Sequence, residues 1–352
     1  IHYDSDDMHI NIPNLLICGN SSIGSAQIPA TMAFAKVTDA ECNMGSLYAG
    51  KIHAKIPFQW PYPAMELDKI KFVNEPERYC TIGEIKYADM DVGRMSAIPY
   101  QDGLNILFSG QHTDFLPAFR VNFSGMAGIS NEGSFVSKVD FKASESGNAI
   151  KIDLGKFSPQ LADTFFEGNL DINGNCTSIG NTITSSGLVA MHNATIEAPE
   201  KKMILEGLDL DLSIPDLYKF RSDPEQVLKF KRFAWGDIEM NEGEVEFQIE
   251  SLSSLFLKKS SFSWCGGHVY THGLQVKPAK RELDIICYCD RLKLSTLLKQ
   301  FNLARAEGEG AVNGRIPIRY KNGKIKVLDG FLYSTPGEGG TINFRTDTLV
   351  PG

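Results

Sequence analysis

Residues 208–212 read Leu-Asp-Leu-Asp-Leu, and residues 245–250 read Val-Glu-Phe-Gln-Ile-Glu. Strict alternation of apolar and polar residues is typical of a β-strand with one buried face, because successive side chains point to opposite faces. The same pattern recurs over 52–60, 119–123, 136–141, 150–154, 170–172, 316–320 and 324–328. The sequence therefore predicts a mainly β protein built from many one-sided strands.

Turn-forming residues separate these strands. Asn173-Gly174, Asn241-Glu242-Gly243 and Asp329-Gly330 are typical turn sequences. Asn322-Gly323 between Lys321 and Lys324 predicts a two-residue hairpin, because a type I′ turn needs positive φ at both central positions.

Helix signals are few. The pattern predicts two short helices, Ser213–Phe220 and Ser295–Phe301, each opened by a serine that can accept a hydrogen bond from the first helical turn. Gly266-Gly267 predicts a bulge or coiled strand, and Pro317 predicts a sheet edge or a bulge, because proline cannot donate to a ladder.

Composition excludes several protein classes. The 352 residues carry 35 basic and 43 acidic side chains, a net charge of −8, and 42% are hydrophobic. The chain can therefore build a core, and without basic clusters we predict no nucleic-acid partner. The sequence contains no run of about 20 apolar residues, which is the length that a helix needs to span a bilayer. The chain begins at Ile1 rather than Met, so we expect a fragment, and any signal peptide or membrane anchor would lie upstream.

No motif predicts catalysis, a metal or a cofactor. The seven cysteines are odd in number and scattered, which argues against a disulfide framework. Cys287 and Cys289 are predicted to share one strand face as buried apolar residues, since no second cysteine pair or histidine cluster accompanies them. His268 and His272 would lie about 13 Å apart in a strand, too far for one ion. No G-x-S-x-G nucleophile motif occurs.

So many one-sided strands must hide their apolar faces, and two short helices cannot cover them. Either the sheet folds onto itself as a sandwich or barrel, or it curls into a trough whose apolar lining stays open to a ligand. The candidate lining residues are Leu210, Leu212, Phe247, Ile249, Leu283 and Ile285. The competing interpretation makes these six residues ordinary sandwich core.

Two ordered groups of motifs mark the C-terminal part. The first is 226–230 (Gln-Val-Leu-Lys-Phe), 236–238 (Gly-Asp-Ile), 243–247 (Gly-Glu-Val-Glu-Phe) and 262–267 (Phe-Ser-Trp-Cys-Gly-Gly). The second is 308–318 (Gly-Glu-Gly-Ala-Val-Asn-Gly-Arg-Ile-Pro-Ile), 323–330 (Gly-Lys-Ile-Lys-Val-Leu-Asp-Gly) and 336–340 (Pro-Gly-Glu-Gly-Gly). From about Leu205 to Phe344 this set resembles the YdbH-like family of the AsmA-like and TamB-like envelope lipid-transport group. Cys265 departs from the small residue expected in the Trp-Gly-Gly corner.

The resemblance implies a long, twisted antiparallel sheet curled into an apolar-lined groove, with two short helices. It implies that 1–200 form the N-terminal part of this groove and 201–352 a YdbH-like C-terminal β domain. The expected function is conduction of phospholipids between the inner and outer membranes of a bacterial envelope, without enzymatic activity.

The same resemblance implies the partners and the location. The expected partners are phospholipid acyl chains, the inner membrane through an N-terminal anchor, and an outer-membrane or periplasmic protein. The expected location is the periplasm. Two alternatives stay open: a structural or adhesive surface protein with a closed, dry core, and a carbohydrate-active β enzyme with paired carboxylates.

Overall fold

A computed structural model gives the fold. It describes residues 1–4, 9–21, 30–61, 71–73, 76–87, 90–103, 105–114, 119–130, 132–145, 150–156, 161–180, 182–217, 219–277, 280, 282–300, 306–321, 324–334, 337 and 339–344. Strands make up most of this part of the chain, as the alternating sequence predicts.

The strands are numbered in chain order. The first thirteen are β1 (His2–Asp4), β2 (His9–Asn11), β3 (Asn14–Ser21), β4 (Ala30–Met44), β5 (Leu47–Pro61), β6 (Lys71–Phe72), β7 (Tyr79–Tyr87), β8 (Met90–Asp102), β9 (Asn105–Thr113), β10 (Phe119–Ile129), β11 (Phe135–Glu145), β12 (Ile150–Asp153) and β13 (Phe165–Ile179). The remaining twelve are β14 (Thr182–Ala198), β15 (Met203–Ile214), β16 (Gln226–Trp235), β17 (Ile238–Ser251), β18 (Ser254–Trp264), β19 (Gly267–Val276), β20 (Glu282–Lys293), β21 (Ala306–Glu309), β22 (Ala311–Lys321), β23 (Lys324–Val327), β24 (Phe331–Ser334) and β25 (Thr341–Phe344).

Antiparallel ladders join 23 of the strands into one sheet, while β21 and β25 form a separate pair. The main connections follow chain order, as in the ladders β7 to β8, β8 to β9, β15 to β16 and β16 to β17. Among the described residues no ladder joins the first strands of the chain to the last. The predicted antiparallel β fold is confirmed, and its sheet is open.

The chain divides into two compact units. The first comprises 1–148 and 171–186, and the second comprises 149–170 and 187–352.

Groups of β-bulges lie in neighbouring strands of each unit. In the first unit they lie in β4, β5, β7 and β8, where Asp39, Lys51 and Gly93 have positive φ and the register shifts. In the second unit they lie in β14, β15 and β17, with positive φ at Asn193, Gly207 and Glu242. Bulges bend the strands that carry them and increase their twist. Both units therefore contain the local geometry that curls a sheet.

One of the two predicted helices is present. Helix α1 spans Leu294–Gln300, so the predicted helix over Ser295–Phe301 is confirmed, apart from residue 301, which lies outside the described residues. The predicted helix over Ser213–Phe220 is wrong. Strand β15 continues to Ile214, and the chain then turns back on itself, so that Asp216 pairs with Arg221. Ser213, which would cap the predicted helix, is instead paired with β14 in the ladder.

Three turn and proline predictions have clear outcomes. Strands β22 and β23 pair from Lys321 and Lys324 outwards, which confirms the hairpin, although its tip at 322–323 lies outside the described residues. Gly266-Gly267 does not bulge a strand. Cys265 and Gly266, both at positive φ, form the two-residue turn between β18 and β19. Pro317 sits where the ladder to β24 ends and the ladder to β23 begins, so no partner strand needs its missing N–H.

Two predicted turns are strand interiors. Gly174 lies within β13 and Gly243 within β17. Each glycine stands directly opposite a phenylalanine, Phe141 and Phe230 respectively. The ring lies over the glycine and occupies the space that a Cβ would need, so glycine serves close packing here rather than a turn.

Candidate functional site

Register assigns the side chains of the second unit to two faces, because residues directly opposite in an antiparallel ladder point the same way. One continuous row crosses β15 to β19: Leu210, Leu228, Val245, Ser260 and Thr271. Val269, two residues from Thr271 along β19, stands opposite Cys289 of β20. On the same face of β20, Cys287 and Ile285 stand opposite Ile316 and Ile318 of β22. We call this the apolar face of the second unit.

All six residues predicted to line a trough lie on this face. Leu210 and Leu212 alternate along β15, and Phe247 and Ile249 along β17. Leu283 and Ile285 belong to the same set in β20 as Cys287 and Cys289. Leu210 and Phe247 are buried, and the other four predicted residues are half-buried. Residues more than 70 positions apart in sequence thus lie on the same face of the sheet.

The opposite face of the second unit is charged and ion-paired. Several of its residues pair directly across a ladder, as do Arg232 and Glu206 (2.9 Å), Lys229 and Glu244 (3.6 Å), Arg319 and Asp284 (2.7 Å), and Lys321 and Glu282 (3.1 Å). Two hydrogen bonds from Arg319 hold the pKa of Asp284 below its ordinary value, against the smaller opposing effect of burial. This face is built to contact water, whereas the apolar face is not.

Helix α1 covers one part of the apolar face. Leu294 and Leu297 pack into a buried cluster that also contains Cys265, Val269, Cys289, Leu292, Val312 and Ile316, with Phe262, Trp264, Cys287, Leu298 and Ile318 against it. Leu292 and Val269 are 0% and 1% exposed. None of the six predicted lining residues belongs to this cluster. The apolar face is therefore divided into a packed part under the helix and a part that the helix does not cover.

Three cysteines lie in or against this cluster. Burial raises the pKa of Cys265 and of Cys287 to about 11, and burial with the neighbouring thiols raises that of Cys289 to about 12. Cys289 is buried as predicted, whereas Cys287 is half-buried and packs against the cluster from the same strand face. Their thiols are protonated at neutral pH and serve packing.

The first unit has its own apolar face. Phe123 stands opposite Phe141, and Ala143 opposite Ile172, across β10, β11 and β13. The same unit has an open cavity of about 620 Å³ beside β8 to β11, lined by Arg78, Ile98, Tyr100, Leu107, Phe108, Ser109, Ser124, Gly125, Met126, Lys138 and Asp140. Two of these lining residues, Lys138 and Asp140, form an ion pair of 3.1 Å.

The described residues contain no group of three or more His, Cys, Asp or Glu side chains arranged to hold a metal ion. No helix in the described ranges has the length and apolar character needed to cross a bilayer.

Sequence reasoning missed the cover that helix α1 provides. It found the helix and the strands beneath it, but the contact joins residues that are distant in sequence, such as Leu297 and Val269. The one available signal was the unbroken apolar spacing of Leu294, Leu297 and Leu298, which gives a short helix one apolar side that must be buried.

Comparison with known proteins identifies a family. The family model described as YdbH-like, intermembrane phospholipid transport protein YdbH, matches residues 126–350, more than half of the chain. The match begins upstream of Leu205, where the sequence motifs begin, and it includes all six predicted lining residues. Neither the curated proteins nor the solved structures gave a match. The chain belongs to the YdbH-like family of intermembrane phospholipid transport proteins of the cell envelope.

Proposed function

We propose that this protein conducts phospholipids between two membranes by holding their acyl chains against the apolar face of the second unit. The observation that carries this proposal is the alignment of Leu210, Phe247 and Ile285 with their neighbours on one face of β15 to β20, opposite a face of ion pairs. Each methylene withdrawn from water contributes about 0.8 kcal/mol. A carrier of acyl chains therefore needs continuous apolar surface more than specific polar contacts.

The bulges in β14, β15 and β17 support a curled sheet. Asn193, Gly207 and Glu242 leave the regular strand conformation at neighbouring positions, so each of these strands bends close to the same line. A bend of this kind turns a flat apolar face into a trough, where acyl chains contact protein on more than one side. The Phe230 ring seated on Gly243 keeps the sheet closely packed near the bend.

The proposal extends to the rest of the chain and its surroundings. We propose that 1–200 contribute a further apolar surface, to which Phe123 and Phe141 belong, and that 201–352 act as the YdbH-like C-terminal domain. The periplasm is the proposed location, with an inner-membrane anchor upstream and a protein partner towards the outer membrane. These proposals rest on the family, whose description names intermembrane transport.

Two adjacent isoleucines of β20 provide a matched test. Ile285 lies on the apolar face, while Ile286, 42% exposed, stands opposite Pro317 on the other face. A photoreactive p-benzoyl-phenylalanine is placed at either position, and the protein is irradiated with vesicles of phosphatidylethanolamine and phosphatidylglycerol. We expect phospholipid adducts in the mass spectrum from position 285 and few from position 286.

Mass spectrometry of an organic extract of the purified, unmodified protein completes the test. Copurified phospholipid together with adducts at position 285 supports the proposal. Equal adducts at both positions, or none at either with no lipid in the extract, would overturn it in favour of a surface protein with a closed core.

A further inference from the structure

We propose that helix α1 is a fixed wall that confines bound acyl chains to the uncovered part of the apolar face. This inference rests on the proposed function and adds where the acyl chains stop. The uncovered part is here the apolar face outside the cluster with helix α1; it runs through β15 to β20 and β22. Leu210 and Phe247 are buried in it, and Val245, Leu257, Leu274 and Ile285 are half-buried. Beneath the helix the same face is occupied by protein.

Closely packed side chains hold helix α1 against the sheet. Leu297 is 3% exposed and Leu294 is 8% exposed, and both belong to the cluster with Val269, Leu292 and Val312. The indole nitrogen Nε1 of Trp264 donates a hydrogen bond of 2.6 Å to Oε1 of Gln300, the last residue of the helix. An isolated helix of seven residues is unstable in water, so these contacts determine its position.

The helix is also held at its N-terminus and by a neighbouring strand. The backbone N–H of Lys293 donates to the carbonyl of Cys265 (2.9 Å), and that of Leu294 donates to the carbonyl of Gly310 (3.0 Å). In β21, the space that a Cβ on Gly308 would need is taken by the side chains of Leu294 and Leu298. Contacts with two separate sheets make the helix a fixed part of the fold rather than a mobile lid.

The uncovered part is large enough for an acyl chain. Seven neighbouring strands, β15 to β20 and β22, spaced about 4.8 Å apart, span about 29 Å along the sheet. The acyl chains of one leaflet extend about 15 Å, half of the hydrocarbon core of a bilayer. An acyl chain lying across the strands therefore fits beside the wall without entering the cluster around Val269 and Leu292.

Tryptophan fluorescence can show whether acyl chains contact the part of the apolar face beneath helix α1 or the part outside it. One variant keeps Trp264 as its single tryptophan through Trp60→Phe and Trp235→Phe. A second replaces all three native tryptophans by phenylalanine and carries Ile285→Trp. Each is titrated with phosphatidylcholine vesicles whose acyl chains are brominated, since bromine quenches indole fluorescence on contact. We expect the tryptophan at position 285 to be quenched several-fold more strongly than Trp264.

A third variant weakens the packing of helix α1 on the sheet. Leu297→Ala in the Trp264-only protein is expected to raise the quenching of Trp264 towards that seen at position 285. Equal quenching at Trp264 and position 285 in the parent proteins would overturn the wall, whether or not Leu297→Ala folds. Quenching at neither position, with no adducts at position 285, would overturn the proposed function and the wall with it. Adducts at position 285 with strong quenching of Trp264 would overturn the wall alone.

Discussion

Phe230 stands directly opposite Gly243 in the ladder between β16 and β17, and its ring fills the space that a side chain on residue 243 would occupy. The first unit repeats the arrangement in the pairs Phe123 and Gly110, Phe108 and Gly125, and Phe141 and Gly174. A phenylalanine ring that lies down on a glycine shields the exposed backbone of that glycine and covers apolar area without thickening the sheet.

Gly243→Ala should destabilise the fold by about 1 to 3 kcal/mol, because the new Cβ displaces the Phe230 ring from its seat. The change is measured as a shift of the denaturant midpoint. Gly339→Ala is the control, since a Cβ at residue 339 meets no atom within 4 Å. Equal shifts for the two variants would contradict the packing role of this glycine.

Leu297→Ala should cost about 2 to 5 kcal/mol of stability, because it removes a buried side chain from the cluster beneath helix α1. Lys299→Ala, in the same helix but exposed, should change stability by less than about 0.5 kcal/mol. Chemical unfolding followed by tryptophan fluorescence provides the comparison. A small effect at Leu297 would mean that the helix leaves the sheet easily.

Ile285→Asp should strongly reduce the phospholipid that copurifies with the protein, because it places a charge on the apolar face. Ile286→Asp, one residue further on the charged face, should leave the lipid content near that of the parent protein. Lipid phosphorus per mole of folded protein is the measurement. Loss of lipid from both variants would point to a general loss of structure instead.

The thiols of Cys265, Cys287 and Cys289 should react slowly with maleimide at pH 8 in the folded protein and rapidly in denaturant. Burial raises their pKa to about 11, about 11 and about 12, so little thiolate is present. Peptide mass spectrometry identifies the labelled sites. Since the folded pKa values lie above the ordinary 9.0, the stability linked to these thiols is complete below pH 9 and is lost as pH rises through 11 to 12. Fast labelling at pH 8 would contradict the burial.

The pKa of Asp284 should lie below its ordinary value of 3.8, and Arg319→Gln should return it towards that value. Because the folded pKa is lowered, the stability contribution of this pair is present above pH 3.8 and is lost as pH falls through the folded pKa. A carboxyl-carbon NMR titration of protein labelled at aspartate measures both values. An unchanged pKa in the variant would show that Arg319 does not determine it.

The alternating sequence by itself determined the β fold and the face that each predicted residue joins. Local period alone places Leu210 with Leu212, and Leu283 with Ile285, on one side of their own strands, because alternate residues of a strand point the same way. The same local reasoning failed where pairing overrides propensity. Ser213 has the sequence of a helix start, but the ladder with β14 keeps it in a strand. Gly174 and Gly243 have the sequence of turns, but a phenylalanine across the ladder needs the space that glycine leaves.

What only the tertiary structure decided is which part of the apolar face lies beneath helix α1. Nothing local distinguishes Val269, buried beneath helix α1, from Ile285, which lies outside that cluster, because each is a β-branched apolar residue within an ordinary strand. The difference comes from Leu297, which is nearly thirty residues from Val269 in sequence and meets it only once the strands have paired. The alternation of apolar and polar residues depends only on neighbours in the sequence. Burial beneath a helix depends on contacts between residues that are distant in sequence, and these contacts form only when the chain folds.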